Sequence, residues 1–371
     1  MVRTLVVTND LPPRPGGIQT FVHEIVRRQD PSSVVVLGPQ EAGSAAFDAS
    51  AGYEIHRHNG PIIPTPGVAR RIREVAAGTG AEQVMFGSGM PNGQLIPFLR
   101  RAGLPTAVVI THGNEAGWAQ LPGGRVLVQP LNGAQHVTYL GSFTHRILSK
   151  YVGPESRLFR LPPGVDIDIF HPGSGGVSFR EKWGIDSRFV IGTVTRLVPR
   201  KGVDVLIRAL PYVQRVVPDA VVLVAGDGPR LPELNDLART LAVEDSVVFT
   251  GSVSDDELPA TYDAMDVFAL PTHTRKFGVD VEGLGIVFLE ASATGVPVLV
   301  GRSGGSVDAV QPGITGELIG LDPASIAAEI VELANDDARR AAMGSAGRQW
   351  MIDEWQWSER AASVTRLLQA D

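Results

Sequence analysis

The chain contains no cysteine, so disulfide bonds and thiolate metal sites are excluded. No apolar run approaches the roughly 18 residues of a membrane-spanning helix, and the opening MVRTLVVTND holds too short an apolar run for a signal peptide. A formal net charge of −7 argues against nucleic acid as the main partner. These absences predict a cytoplasmic protein with no membrane span and no nucleic-acid partner.

What the chain does contain is the composition of a folded globular protein, with 43% hydrophobic and 20% charged residues. Its 371 residues exceed what one ordinary core accommodates, so two domains of roughly 150–200 residues are expected. In the first half, short apolar runs alternate with helically spaced segments, a pattern typical of a parallel sheet covered on both faces. The runs predicted as strands are TLVVTN, VVVLG, YEIHRH, QVMFG, AVVITHG and HVTYLG.

A second alternation of the same kind follows a stretch rich in proline and glycine at residues 161–176, which predicts a linker. Its predicted strands are RFVIGTVTR, AVVLVAGDG, VVFTGSV, VFALPT and PVLVG. We therefore predict an α/β fold with two Rossmann-like, doubly wound domains, residues 1–165 and 166–350, that face a cleft. Residues 351–371 are predicted to form a C-terminal helix that packs back on the first domain.

A pair of cations follows the first predicted strand of the second domain. Arg196 and Lys201 stand in TRLVPRKG, where the loop between them lets both head groups converge on one point. Lys201 also opens a helix, whose N-terminus favours an anion. Two fixed cations at a strand end predict a pyrophosphate site, whose charge they neutralise in place of Mg²⁺. Arg200, in the same loop, fits a solvated surface charge.

A pair of carboxylates completes this predicted site. Glu282 and Glu290 stand in DVEGLGIVFLEAS, and a carboxylate accepts hydrogen bonds from the two hydroxyls of a ribose. The pair leaves open the acid and base of a glycosidase, although a helix-borne glutamate below a glycine-rich loop suits ribose better. The later loop SGGSV, residues 303–307, offers further backbone amides for a diphosphate. The sequence thus predicts a nucleoside-diphosphate site without a metal ion.

The first domain carries a second group of candidates at predicted strand ends. Gly16 and Gly17 precede a helix, so their amides can approach a phosphate or sugar oxygen, although an ordinary strand-to-helix loop also explains them. Asp10 either caps a turn or bonds an acceptor hydroxyl. His112, in VVITHGNEAGW, either is structural or bonds a sugar hydroxyl and helps to polarise the leaving group.

Taken in order, these motifs resemble those of the family 4 retaining glycosyltransferases of the GT-B fold. The shared elements are the paired glycines at 16–17, PPGVDxxxF from Pro162 to Phe170, R-x₄-K, E-x₇-E and the SGG loop. Within that family, TNDLPPRPGGIQ, THGNEAGW, RLVPRKG and DVEGLGIVFLEAS look most similar to the bacterial GDP-mannose-dependent phosphatidylinositol mannoside α-mannosyltransferases.

The resemblance implies a role for each candidate. Arg196 and Lys201 would bind the diphosphate and neutralise it as it leaves, and Glu290 would bind the ribose. Glu282 and His112 would contact the donor sugar near the reacting carbon. The reaction would retain the anomeric configuration, use GDP-mannose as a substrate and need no metal or other cofactor. The remaining implied contacts are the donor-binding Gly16, Gly17, Val253, Gly285 and Ile286, and the acceptor-binding Asp10.

The acceptor is open to more than one prediction. The main one is an inositol-containing glycolipid, with peripheral contact at the inner face of the plasma membrane. One alternative is a UDP-sugar transferase acting on a soluble cyclitol or natural product, and another is a non-catalytic nucleotide-sugar binding protein. Arginine clusters at 70–73 and 100–101 fit either a lipid contact or solvated helix faces.

Overall fold

The computed structural model describes residues 2–154, 157–275 and 278–370, which fall into two compact units. The described residues up to Gly164, together with those from Trp357 onward, form the first unit, and Val165–Gln356 forms the second. Each unit contains a parallel sheet covered by helices, so the predicted α/β class with two Rossmann-like domains is confirmed.

The first unit is built on a parallel sheet. Its strands are β1 Thr4–Val7, β2 Val34–Pro39, β3 Glu54–His58, β4 Gln83–Phe86, β5 Thr106–Val109, β6 His136–Tyr139 and β7 Leu158–Arg160. The helices between them are α1 Gly17–Val26, α2 Ser44–Ser50, α3 Pro66–Thr79, α4 Ile96–Arg101, α5 Asn114–Ala119, α6 Gly124–Val128 and α7 Ser142–Leu148. The strand order is β3-β2-β1-β4-β5-β6-β7, so the direction of winding reverses between β1 and β4.

The second unit repeats this plan. Its helices are α8 Gly176–Trp183, α9 Val203–Gln214, α10 Leu231–Thr240, α11 Leu258–Asp263, α12 Ile286–Ala293, α13 Pro323–Asn335 and α14 Asp337–Glu354. Its strands are β8 Val190–Val194, β9 Val221–Ala225, β10 Val247–Gly251, β11 Val267–Leu270, β12 Val298–Gly301 and β13 Gly316–Ile319. The order β10-β9-β8-β11-β12-β13 reverses between β8 and β11.

The apolar runs form central strands because both faces of each sheet are covered. All five residues of β9, VVLVA, are buried, as expected when helices pack on both sides of a parallel sheet. On α9 the buried side chains include Leu206, Leu210 and Val213, which recur at helical spacing and face the same core. Burial therefore explains both the continuous runs of the strands and the periodic pattern of the helices.

The C-terminal segment differs from the single helix predicted over 351–371. The helix α14 ends at Glu354, and Gln356 forms a parallel bridge with Val165 inside the second unit. A new helix, α15, runs from Trp357 to Gln369 and packs against α1 in the first unit. The interruption has a physical cause: Trp355 and Trp357 are both buried, but each in the core of a different unit.

Three elements have no clear sequence signal. The strands β7 and β13 lie at the edges of their sheets, and α2 buries a single serine, Ser44. These elements have only 3, 4 and 7 residues, and a periodic pattern is hard to recognise over so short a length. Among the described residues, no helix combines the length and the apolar composition needed to cross a bilayer.

Candidate functional site

In each unit, candidate residues follow the strands at which the winding reverses. Asp10 lies three residues beyond the end of β1, and Arg196 lies two residues beyond the end of β8. In open parallel sheets, ligands bind beyond the carboxyl ends of the strands at this reversal point. The topology of each unit therefore places its candidates where a ligand is expected.

Lys201 and Glu282 form a buried ion pair in the second unit. The ammonium Nζ donates to Oε2 of Glu282 at 2.7 Å, and the two side chains are 10% and 8% exposed. Burial alone would raise the pKa of Glu282, but the positive charges of Lys201 and Arg200 outweigh burial and lower it. Glu282 is therefore an ionised hydrogen-bond acceptor at neutral pH and cannot serve as a general acid.

Two arginines precede Lys201 in the loop after β8. Arg200 contradicts its prediction as a solvated surface charge, because its side chain is largely buried, 3.9 Å from Glu282 and 3.6 Å from Asp280. Arg196 is exposed, and within the described residues its side chain makes no hydrogen bond or ion pair. The loop after β8 thus carries three cations, of which Arg200 and Lys201 pair with Asp280 and Glu282. The charge of Arg196 remains available for an anion.

The turn GDGPR fixes the loop that carries Arg196. Leu197 donates its backbone N–H to the carbonyl of Asp227 at 2.9 Å and accepts from the N–H of Arg230 at 3.2 Å. A Cβ on Gly228 would lie 2.6 Å from the carbonyl oxygen of Leu197, so only glycine allows this approach. The backbone hydrogen bonds of Leu197 to this turn therefore set the position of the loop that carries Arg196.

The SGG loop holds Glu282 through its backbone. The N–H of Gly305 donates to the carbonyl of Glu282 at 2.9 Å, and the N–H of Glu282 donates to Oγ of Ser303 at 3.2 Å. Gly304 has a φ of +56°, and a Cβ there would lie 2.3 Å from the Glu282 carbonyl oxygen. The amide of Gly305 is thus engaged within the protein, and the loop positions Glu282.

Glu290 lies in α12, and its carboxylate is held by a tyrosine. The hydroxyl of Tyr262 donates to Oε2 of Glu290 at 2.6 Å. Burial raises the pKa of Glu290 to about 7, against the opposing effect of the Tyr262 hydrogen bond, and the charge of Asp255 adds to the rise. Within the described residues Oε1 has no hydrogen-bond partner, so it can accept from a ligand hydroxyl.

The other donor-side candidates lie near Glu290 or on its helix. Gly285 precedes α12 with a φ of 90°, and Ile286 is the first residue of that helix. A Cβ on Gly285 would lie 2.7 Å from the ring of Phe288, which explains the glycine without invoking a ligand. Val253 is half-buried in the loop after β10, the loop whose Asp255 raises the pKa of Glu290.

In the first unit, Gln19 connects Asp10 to the paired glycines. Its Nε2 donates to Oδ1 of Asp10 at 2.8 Å, and a Cβ on Gly16 would lie 2.4 Å from its Oε1. Gly16 also has a φ of +151°, so the fold itself requires glycine there. Gly17 is different, because a Cβ there would meet nothing within 4 Å and the space at the start of α1 is open. Burial raises the pKa of Asp10, while the charge of His112 opposes this rise.

His112 is buried and held in one orientation. Its Nε2 lies 2.7 Å from the carbonyl oxygen of Gly87, and its ring meets the ring of Phe21 edge to face, with centroids 5.1 Å apart. Burial lowers the pKa of His112, although the Gly87 hydrogen bond and Asp10 oppose this shift. Because a carbonyl only accepts, Nε2 carries the proton of the neutral ring and Nδ1 offers a lone pair.

The structure therefore groups the predicted residues in two sets. Lys201, Glu282 and the Arg196 loop lie together, and Glu290 stands with Tyr262 in the same unit. Four partners are added that the sequence patterns did not reveal, and they are Gln19, Glu115, Arg200 and Tyr262. Within the described ranges, no group of three or more His, Cys, Asp and Glu side chains has the geometry of a metal site.

Comparison with known proteins identifies the relatives of this chain. The family model described as "Glycosyl transferases group 1" matches residues 178–350. The chain is 44% identical to the GDP-mannose-dependent alpha-(1-6)-phosphatidylinositol monomannoside mannosyltransferase of Mycolicibacterium smegmatis, over 98% of this chain and 97% of the relative. It is 39% identical to the GDP-mannose-dependent monoacylated alpha-(1-6)-phosphatidylinositol monomannoside mannosyltransferase of Corynebacterium glutamicum, over 100% and 98% of the two chains.

A solved structure shares the fold. The HepE protein of Anabaena, crystallised in complex with UDP, superposes with a TM-score of 0.84 over 99% of both chains at 18% identity. At that level of identity the likeness is one of fold, and it covers both parallel sheets.

Proposed function

The chain belongs to the glycosyltransferase family that includes these mannosyltransferases, and we propose that it moves mannose from GDP-mannose to a phosphatidylinositol mannoside glycolipid. The proposed reaction retains the anomeric configuration and requires no metal ion. It rests on similarity over nearly the full length of both relatives and on one structural observation, the buried ion pair of Lys201 with Glu282.

The cations explain how a diphosphate leaves without a metal ion. In the proposed reaction the bond from the sugar C1 to the diphosphate oxygen breaks, and a bond from C1 to the acceptor oxygen forms on the same face. The acceptor proton passes to the departing phosphate oxygen. Arg196 and Lys201 would stabilise the negative charge that develops there, and Lys201, which Glu282 already holds in place, would act at little reorganisation cost.

Glu282 is proposed to bind sugar hydroxyls rather than to attack the sugar. Its Oε2 is already engaged by Lys201 at 2.7 Å, and its lowered pKa keeps it ionised as an acceptor. Glu282 therefore lacks the proton of a glycosidase acid. A same-face displacement needs no carboxylate nucleophile, in accord with this role.

Glu290 and its neighbours are proposed to hold the nucleoside. The free Oε1 of Glu290 would accept from a ribose hydroxyl while Tyr262 keeps the carboxylate in place. Val253 would approach the base through its loop, and the backbone at Gly285 and Ile286 would lie along the donor. In the first unit, Gly17 would face the phosphates, His112 would accept from a donor hydroxyl through Nδ1, and Asp10 would bind the acceptor.

The first unit also offers a surface for the lipid. An open groove of about 940 Å³ runs between α4 and the segment that follows α6. Arg100 and Arg101 line it, and the nearby Phe98 and Val126 are 44% and 69% exposed. The only acidic residue from α4 through α6 is Glu115, which is buried. We propose that this basic groove contacts an anionic bilayer, where each cation contributes about 1 kcal/mol.

An activity assay with competing donors and acceptors tests the function. The purified protein is incubated with GDP-mannose, UDP-glucose or UDP-galactose, and with phosphatidylinositol monomannoside vesicles or free myo-inositol, in the presence of EDTA. We expect a mannosylated lipid by mass spectrometry from GDP-mannose alone, with an α linkage by NMR. A product formed from a UDP-sugar would contradict the proposed donor, and a product formed only on myo-inositol would contradict the proposed acceptor. Loss of activity with EDTA would refute the metal-free reaction.

A further inference from the structure

Glu115 is a buried carboxylate to which the proposed reaction gives no role. It lies in the first turn of α5 and is 1% exposed. Its Oε2 accepts from the backbone N–H of His112 at 2.9 Å, and its Oε1 accepts from the backbone N–H of Gly89 at 3.0 Å. One side chain thus joins the loop after β5 to the loop after β4.

A second hydrogen bond, made by the ring of His112, connects the same two loops. Its ring Nε2 donates to the carbonyl of Gly87, two residues before the glycine that Glu115 binds. The space is tight, because a Cβ on Gly89 would lie 3.0 Å from Oε1 of Glu115. Glu115 therefore fixes the backbone of His112 relative to the carbonyl that fixes its ring.

We propose that Glu115 is a positioning residue for His112, which it holds in the Nε2-protonated form with Nδ1 presented to the donor sugar. The inference rests on the role proposed for His112 but concerns a residue that no motif assigned. Glutamate suits this place because both carboxylate oxygens accept from backbone N–H groups. Glutamine has one acceptor oxygen, so its NH₂ would face one of those donors.

The first test replaces Glu115 by glutamine. We expect Glu115→Gln to lower kcat by about 100-fold, the effect of a displacement near 1 Å at a reacting centre, while KM for GDP-mannose changes less than about twofold. The control is Thr65→Ala, which removes the N-cap of α3 in the same unit without touching these loops. An unchanged kcat in Glu115→Gln, or an equal loss in Thr65→Ala, would contradict the proposal.

A second variant reaches the same contact from the other side. Gly89→Ala keeps Glu115 but adds a Cβ 3.0 Å from its Oε1, so the carboxylate must shift by a few tenths of an ångström, and the alanine needs no unusual φ because Gly89 has none. We expect the same loss of kcat as in Glu115→Gln. The matched control is Gly78→Ala on α3, where a Cβ meets nothing within 4 Å, and it should retain full activity. Full activity in Gly89→Ala would refute the role of this contact, even if Glu115→Gln does not fold.

The third readout does not depend on the donor or on turnover. NMR of ¹⁵N-histidine-labelled protein should show the Nε2-protonated tautomer of His112 in the wild type and a mixture in Glu115→Gln. Hydrogen exchange of the His112 and Gly89 amides should accelerate in the variant. An unchanged tautomer and unchanged exchange would overturn the positioning role, whereas failure of the mannosyl assay with these signatures intact would count only against the proposed function.

Discussion

The ammonium group of Lys201 lies 2.7 Å from the carboxylate of Glu282, across 81 residues of sequence. Both side chains are nearly inaccessible, so removing Lys201 leaves the buried charge of Glu282 with Arg200, at 3.9 Å, as its remaining cation. The half-buried Arg200 lies 3.9 Å from the same carboxylate, and the exposed Arg196 precedes Lys201 in the loop after β8. One ion pair therefore stabilises the second unit and orders its proposed diphosphate site.

The first prediction separates these two contributions. We expect Lys201→Ala to lower the free energy of unfolding at pH 7 by about 3 kcal/mol, since it removes the nearer of the two cations that compensate the buried charge of Glu282. Lys201 lowers the pKa of Glu282, so the stability it supplies is present at neutral pH and is lost as pH falls through that pKa. The difference between wild type and variant should therefore be largest at neutral pH and narrow as the pH falls below about 4.5, the usual pKa of a glutamate, which chemical denaturation at several pH values measures.

The double variant is the control for this prediction. Adding Glu282→Gln to Lys201→Ala removes this buried charge, so most of the stability should return. Activity should not return, because the diphosphate still lacks a cation worth roughly a hundredfold or more in kcat and the donor sugar now lacks the Glu282 carboxylate. If the double variant recovered turnover together with stability, Lys201 would be a structural residue only.

The second prediction concerns pH and the ribose. Glu290 has a pKa raised to about 7 by burial, and the ionised carboxylate is a stronger acceptor for hydroxyl groups than the protonated acid. GDP should therefore bind about tenfold more tightly at pH 8 than at pH 6, as titration calorimetry would measure. Glu290→Gln should remove that part of the pH dependence, whereas a similar slope in the variant would assign it to the phosphates.

Tyr262 provides a sharper form of the same test. Its hydroxyl donates to Glu290 and lowers the pKa of that carboxylate. Tyr262→Phe removes the donor, so the midpoint of the pH dependence of GDP binding should move to higher pH. A midpoint that stays in place, or moves to lower pH, would contradict the assigned contact.

The two sheets could be predicted from sequence because their strands are continuous apolar runs. Because both faces of β9 are buried, its sequence is the continuous apolar run VVLVA. Runs of this kind also mark where β1 and β8 end, and Asp10 and Arg196 lie just beyond those ends. The break between α14 and α15 could not be predicted in this way. Helical periodicity continues across it, and only the burial of Trp355 and Trp357 in different cores interrupts the helix.

Contacts between residues that are far apart in the sequence could not be predicted from the sequence. Lys201 is predicted to face a diphosphate, but its partner within the protein is Glu282, because β8 and β11 are neighbours in the sheet. Arg200 has the sequence pattern of a surface charge but is half-buried and lies 3.9 Å from Glu282 for the same reason. Tyr262 carries no motif, and its bond to Glu290 follows from the packing of α11 on α12.

The third prediction tests the loop that positions Glu282. Gly304→Ala places a methyl group 2.3 Å from the Glu282 carbonyl and strains a φ of +56°, so the loop must shift. We expect a loss of about 1–3 kcal/mol in stability and a larger proportional loss in kcat, measured by thermal unfolding and initial rates. Gly320→Ala, where a Cβ meets nothing within 4 Å, is the control. Equal kcat in Gly304→Ala and Gly320→Ala would show that the SGG loop does not position Glu282 for the reaction.

The last prediction concerns the basic groove of the first unit. Replacing Arg100 and Arg101 by glutamine should weaken binding to anionic vesicles by about 2 kcal/mol, or roughly 30-fold, since each cation contributes about 1 kcal/mol near such a surface. Co-sedimentation measures this loss, and 1 M salt should abolish the wild-type advantage because it screens the interaction. Arg208→Gln, an exposed arginine on α9 of the second unit, is the matched control. Turnover on a short-chain soluble acceptor should be the same in all three proteins. If the Arg100 and Arg101 variant lost that activity too, the groove would belong to the acceptor site and not to a bilayer contact.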